Sequence, residues 1–88
     1  METSKIIAQL KEVGFFEVYH KTLFKCYRER RAGGVQEVEV EIWDAGPDVE
    51  KESRYHVMAI AEDGKKATGN PAHSIDVAFA IVHWVNLD

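Results

Sequence analysis

The chain has 88 residues, a formal net charge of −4, and fractions of 45% hydrophobic and 30% charged residues. That length holds one domain, residues 1–88, with a single modest core, and that composition excludes wholesale disorder. No apolar run approaches the roughly 20 residues of a membrane span, and a mildly acidic chain is a poor match for backbone-driven nucleic-acid binding, which needs clustered Lys and Arg.

The start, Met1-Glu2-Thr3-Ser4-Lys5, has no charged segment followed by an apolar stretch, so no secretory signal is expected. Cys26 is the single cysteine and cannot make an internal disulfide. Both features fit a reducing compartment, and the cytoplasm is the expected location.

In chain order, Thr3 or Ser4 can cap a first helix. Its apolar stripe is Ile6, Ile7, Leu10 and Val13, and Gly14 suits its C-terminal end. Phe15, Phe16 and Val18 follow and are expected to enter the core at the helix–strand junction. Strands over 20–31 and 36–44 form a hairpin about a two-residue Gly33-Gly34 turn. That centre pairs Ala32 with Val35, Arg30 with Glu37, Arg28 with Glu39, Cys26 with Glu41 and Phe24 with Trp43. One face then carries a charge ladder, and Val38, Val40 and Ile42 collect on the other beside Tyr27 and Lys25. Residues 20–34 hold five basic side chains against Glu29, and residues 35–53 hold seven acidic ones against Lys51. The ladder neutralises much of that contrast and specifies register more than stability, since an exposed pair contributes only about 0.2–1 kcal/mol.

Ala45-Gly46-Pro47-Asp48 begins a polar loop through Ser53. A third strand is expected over 54–61, and after the Asp63-Gly64 turn Lys65 to Thr68 returns as a short extended piece. Asn70 as N-cap and Pro71 at the first position start a second helix expected over 71–85. Only His73, Asp76 and His83 break its apolar surface, so it must be covered on more than one side. The flank of Val77, Ile81 and Trp84 calls for the first helix or another chain. The expected architecture is α+β: a three-stranded antiparallel sheet with two helices packed on one face, in the order α-β-β-β-α.

With Gly69 leading into a helix rich in small and apolar residues, this order resembles the double-stranded RNA-binding domain. That family places a lysine pair at the start of its last helix to grip phosphates. Here the stretch reads Pro71-Ala72-His73-Ser74-Ile75-Asp76, with no lysine and one acid, and Lys65 and Lys66 precede the glycine. The resemblance implies the fold, and the departure removes the usual RNA-gripping lysines. A shorter similarity is to antitoxin domains of the HicB type, which also pass from a strand through a Gly-containing turn into a helix.

Chemistry-bearing clusters are sparse. His73 and His83 lie ten residues apart on the expected helix, about 15 Å, and with His20 and His56 they show no metal-ligand spacing. Opposite Glu41, the Cys26 thiol would be a poor nucleophile. Glu37, Glu39 and Glu41 form a row, but Arg28 and Arg30 oppose two of them. The glycines match no phosphate loop. No metal, cofactor or catalytic residue is therefore assigned, and the chain is read as a non-enzyme. With both helices on one sheet face, the other is open, and with His56, Met58 and Ile60 turned outward it carries Phe24, Trp43, Met58 and Ile60. An apolar patch rimmed by charge marks an interface. Together with Trp84, those residues form the expected docking surface for a protein partner or a second copy. The alternative is nucleic-acid binding through Lys21, Lys25, Arg28, Arg30 and Arg31.

Overall fold

The computed structural model describes residues 2–88. Helix α1 spans Thr3–Glu12, followed by strands β1 (His20–Glu29), β2 (Val35–Asp44), β3 (Tyr55–Ala61) and β4 (Lys66–Thr68), and then helix α2 (Ile75–Ala80). Single 3-10 turns occupy Lys51–Ser53 and Trp84–Leu87. The class is α+β. The antiparallel sheet has four strands in the order β1-β2-β3-β4, not three. The fourth strand forms because Asp63-Gly64 reverses the chain. Gly64 N–H bonds to Ala61 O at 2.9 Å and Ala61 N–H to Lys65 O at 2.8 Å, which sets Ala67 opposite Ala59.

The hairpin closes differently from the expected diglycine turn. Arg30 O accepts from Gly33 N–H at 2.9 Å, and Arg30 N–H bonds to Gly34 O at 2.8 Å. The turn is therefore Arg31-Ala32-Gly33, with Gly33 at φ +100°, a three-residue loop of the kind that ends on a left-handed glycine. Every pair moves by three residues. Phe24 faces Val40, Cys26 faces Val38, Arg28 faces Gln36, and Lys21 faces Trp43. A shift by an odd number turns β1 over relative to β2. Cys26, Phe24 and Arg28 thus lie on the same side as Val38 and Val40, while Lys25 and Tyr27 lie with the glutamates.

On β2 itself the alternation is as expected. Val38 and Val40 are buried, and β3 matches them with Ala61 and Ala59. The core cluster joins these to Val57, Ala67, Ala72, Ala78, Val82 and Leu87. Four of its members, Ala59, Ala61, Ala67 and Ala72, are alanines on or beside β3 and β4, so α2 approaches the sheet closely through Ala78. Full burial of Leu87 contributes about 1.5–3 kcal/mol.

The second helix is much shorter than the 71–85 expectation. Ala72 bonds to Tyr55 in both directions, at 2.8 and 3.0 Å, so its backbone extends the sheet and cannot start a helix. Ser74 is the N-cap instead, its Oγ accepting from Val77 N–H at 3.2 Å. At the far end His83 N–H turns to Thr68 O at 3.3 Å, and the Trp84 indole donates to Phe79 O at 3.2 Å. The many β-branched residues of this stretch offer little helical preference against those bonds. Gly69 permits the arrangement, since a Cβ there would stand 2.6 Å from Ile81 O.

In α1, Glu2 rather than Thr3 or Ser4 is the N-cap. Its C-terminal end is a Schellman motif around Gly14, with Gly14 N–H to Lys11 O and Phe15 N–H to Leu10 O, both 3.1 Å. Ile7 is its buried residue, seated on Gly46, and no residue of α1 belongs to the core cluster. Phe15 and Phe16 do not enter the core. They stand exposed on the turn after α1, 59% and 83% respectively.

The opposite end is fastened by a polar network. Gln36 is fully buried, yet its amide is satisfied: Arg28 Nη1 donates to Oε1 at 2.9 Å, and Nε2 donates to Leu87 O at 2.9 Å. Arg28 also reaches Asp88 Oδ1 at 2.6 Å and holds that carboxyl below the usual range.

Two stability predictions follow from these contacts. Gly69→Ala is expected to lower unfolding stability by about 1–3 kcal/mol, the cost of an overpacked close contact. Gln36→Leu is expected to cost a similar amount, about 1–3 kcal/mol, by leaving Leu87 O and Arg28 without their buried partner. Urea unfolding midpoints read both, and a wild-type midpoint in either variant contradicts the corresponding contact.

Candidate functional site

The outward face of the sheet is built from alternate residues of all four strands. It carries Lys21, Leu23, Lys25 and Tyr27 of β1, Glu37, Glu39, Glu41 and Trp43 of β2, His56, Met58 and Ile60 of β3, and Lys66 and Thr68 of β4. A cavity of about 330 Å³ opens at the Trp43 end, lined by Tyr19, Trp43, Ser53, Arg54, His56, Met58 and Pro71. Trp43, His56 and Met58 are positioned by the β2–β3 register, where Trp43 faces His56 and Glu41 faces Met58. Tyr19 lies just before β1, with the alternation that carries Lys21 and Leu23 outward. Arg54 and Ser53 arrive from the loop before β3, and Pro71 from the segment held by the Tyr55–Ala72 bridge.

Trp43 is fixed on three sides. The Tyr19 ring meets it edge-on, centroids 5.5 Å apart at 76°. Its indole N–H donates to Glu41 Oε1 at 3.1 Å, and the Lys21 ammonium stands 5.2 Å from the ring centroid. Glu41, only 9% exposed, also takes Lys21 at 3.6 Å, so one carboxylate orients the indole and neutralises the cation above it.

Most polar groups at the rim are engaged within the chain. Arg54 donates from Nε to Asp44 Oδ1 at 2.9 Å and from Nη2 to Oδ2 at 3.4 Å, and it lies over the Tyr55 ring at 4.8 Å. His56 Nε2 and Thr68 Oγ1 are 2.8 Å apart. What the cavity offers is chiefly aromatic, thioether and proline surface, with fixed cations at its edge. That suits an apolar side chain better than a ligand needing many hydrogen bonds.

Partial burial works to raise the Asp44 pKa, but the Arg54 hydrogen bond, the Gly46 N–H at 2.8 Å and the charge of Arg54 outweigh it and hold the carboxyl below its usual value. Arg54 is correspondingly raised by Asp44. At the other end, the hydrogen bond to Glu37 at 3.2 Å raises the Lys25 pKa.

Of the residues expected to form the docking surface, Trp43, Met58 and Ile60 share the outward face. Phe24 does not. It is 49% exposed but lies on the α2 side of the sheet, because the three-residue turn reverses β1. Trp84 is also on the α2 side, stacked on Phe79 with centroids 6.0 Å apart. Cys26 faces Val38, not Glu41, and packs against the core. The five basic residues do not form one strip. Lys21 and Lys25 point outward to Glu41 and Glu37, Arg28 points to the other side toward Asp88, Arg30 meets Asp63 at 3.3 Å beyond the end of β1, and Arg31 sits in the hairpin turn. Tyr19, Ser53, Arg54 and Pro71 were not singled out from sequence. Tyr19 alone carried a signal, since it shares the alternation of Lys21 and Leu23.

No helix among the described residues is long and apolar enough to cross a membrane. No protein-family model matches the chain, and comparisons with curated proteins and with solved structures gave no match.

The Asp44–Arg54 pair sets a pH dependence. A depressed carboxyl contributes stability above the unfolded value of about 3.9 and loses it as pH falls through the folded value. Asp44→Asn is expected to be less stable than wild type at pH 7 and to show a shallower loss of stability on acidification. Unfolding midpoints measured from neutral pH down to about pH 2 read the difference, and parallel curves contradict it.

Proposed function

We propose that the protein is a small non-enzymatic interaction module that binds a protein partner, or a second copy, through the outward face of its sheet. The cavity between Tyr19, Trp43, Met58 and Pro71 receives an apolar side chain of that partner. The observation that carries this reading is an aromatic cavity whose rim polar groups are bonded within the chain, leaving apolar walls open on an otherwise charged face. Leu23 and Ile60 extend apolar surface away from the cavity, and the Lys21–Glu41 and Arg54–Asp44 pairs form a charged margin. Binding energy in such surfaces concentrates at buried aromatic anchors, so Trp43 is the expected centre. The likeness to the double-stranded RNA-binding fold and a cytoplasmic location belong to this proposal as well, on the element order and the lone Cys26.

Nucleic-acid binding through the basic residues of 21–31 is the weaker reading. Lys21, Lys25, Arg28 and Arg30 each already face a carboxylate of the same chain.

The test is a titration followed by NMR, with N-acetyl-phenylalanine amide as probe and N-acetyl-lysine amide as control. Saturable shifts of the Trp43 indole N–H and the Met58 methyl with the first probe alone are expected. Shifts scattered over the surface, or none at millimolar probe, count against the reading. Duplex RNA at low salt forms a separate arm, and a response of Lys21, Lys25 and Arg28 there would favour the alternative.

A further inference from the structure

We propose that the cavity's occupant is a second copy of this chain, with Phe16 of each copy entering the Tyr19–Trp43–Met58 cavity of the other about a two-fold axis. This rests on the reading above and names its partner.

Phe16 is 83% exposed, the most exposed large apolar side chain among the described residues. It is not on a loose tail. The Schellman bonds at Gly14 and Phe15 anchor the preceding turn to α1, and Glu17 next to it holds φ +52°, the one non-glycine residue at positive φ among those described. A backbone conformation of that kind persists only where its surroundings impose it, and such conformations gather at functional positions. Turn and cavity are neighbours: Phe16 is three residues from Tyr19, so their Cα atoms lie within about 11 Å. A projecting ring beside an apolar hollow is self-complementary, which is what a two-fold interface requires, since each copy then presents both halves of the contact.

Charge agrees with this pairing. Glu17 flanks the ring, and Arg54, whose guanidinium is shared with Asp44, lines the hollow, so seating the ring brings the acid of one copy beside a cation of the other. The area agrees with a weak association. Phe15 and Phe16 expose on the order of 300 Å² of ring surface per copy. Together with the walls they would cover, this falls in the low class of interfaces, under about 1,200 Å² in total. A concentration-dependent dimer follows, rather than a permanent one.

The experiment combines sedimentation from about 10 µM to about 1 mM with isotope-filtered NMR on a mixture of labelled and unlabelled chain. A dimer fraction rising with concentration, and contacts between the Phe16 ring of one copy and the Met58 methyl of the other, are expected. Phe16→Ala should raise the dimer dissociation constant at least about tenfold and leave the unfolding midpoint near wild type, because the ring is exposed. Glu17→Lys should weaken the dimer too. A monomer at 1 mM, or a dimer that survives Phe16→Ala unchanged, overturns the proposal. Titrating N-acetyl-phenylalanine amide into Phe16→Ala separates the two readings. If the cavity takes the probe while the wild type stays monomeric, the second-copy proposal falls and the interaction module stands. If the probe is refused as well, both fall.

Discussion

Val38, Val40 and Ile42 point from β2 into one layer, while Glu37, Glu39, Glu41 and Trp43 point into the other, and both neighbouring strands have to match that division. β2 is paired along its length with β1 and over most of it with β3, so its alternation is imposed on the sheet. On one side it assembles the alanines of β3 and β4 against α2. On the other it sets Trp43 beside His56 and Met58, which makes the floor of the cavity. The burial that stabilises the domain and the surface that holds the cavity are two sides of one strand.

The end of the molecule near the hairpin turn depends on a different interaction. Gln36 shares the inward side of β2 with the valines, and an unpaired amide there would be costly. Arg28 from β1 and the carbonyl of Leu87 satisfy it, and Arg28 passes on to Asp88. A polar chain thus joins the first two strands to the last turn, where apolar packing on β1 is thin. The Trp43 end is organised similarly by the buried Glu41 and the partly buried Asp44, each holding a cation.

Much of the architecture was legible in the sequence, and the failures have definite causes. The alternation of 36–44 and the small residues at Ala59 and Ala61 assign the inward and outward sides of β2 and β3, because side-chain direction in a strand is local. The β1 register was misread because two adjacent glycines allow more than one reversal. A two-residue turn and a three-residue turn ending at Gly33 differ in register by an odd number, which reverses the strand and moves Phe24 from one face to the other. The length of α2 was overestimated because its ends are decided by remote partners: Tyr55 claims Ala72, and Thr68 claims His83. No apolar periodicity contains those bonds. For the same reason the cavity was seen only in part. Trp43 and Met58 follow from strand alternation, whereas Arg54 and Pro71 are delivered by loops whose course depends on the finished sheet.

β1 is an outer strand of this sheet, and its unpaired backbone groups run for ten residues. Such a border is a template for endless lateral growth unless something blocks it. Here Lys21 and Lys25 project from one side of the border and Arg28 from the other, and charged side chains along an outer strand hinder a second strand from adding to it. Fibril formation by strand-on-strand stacking is thereby disfavoured.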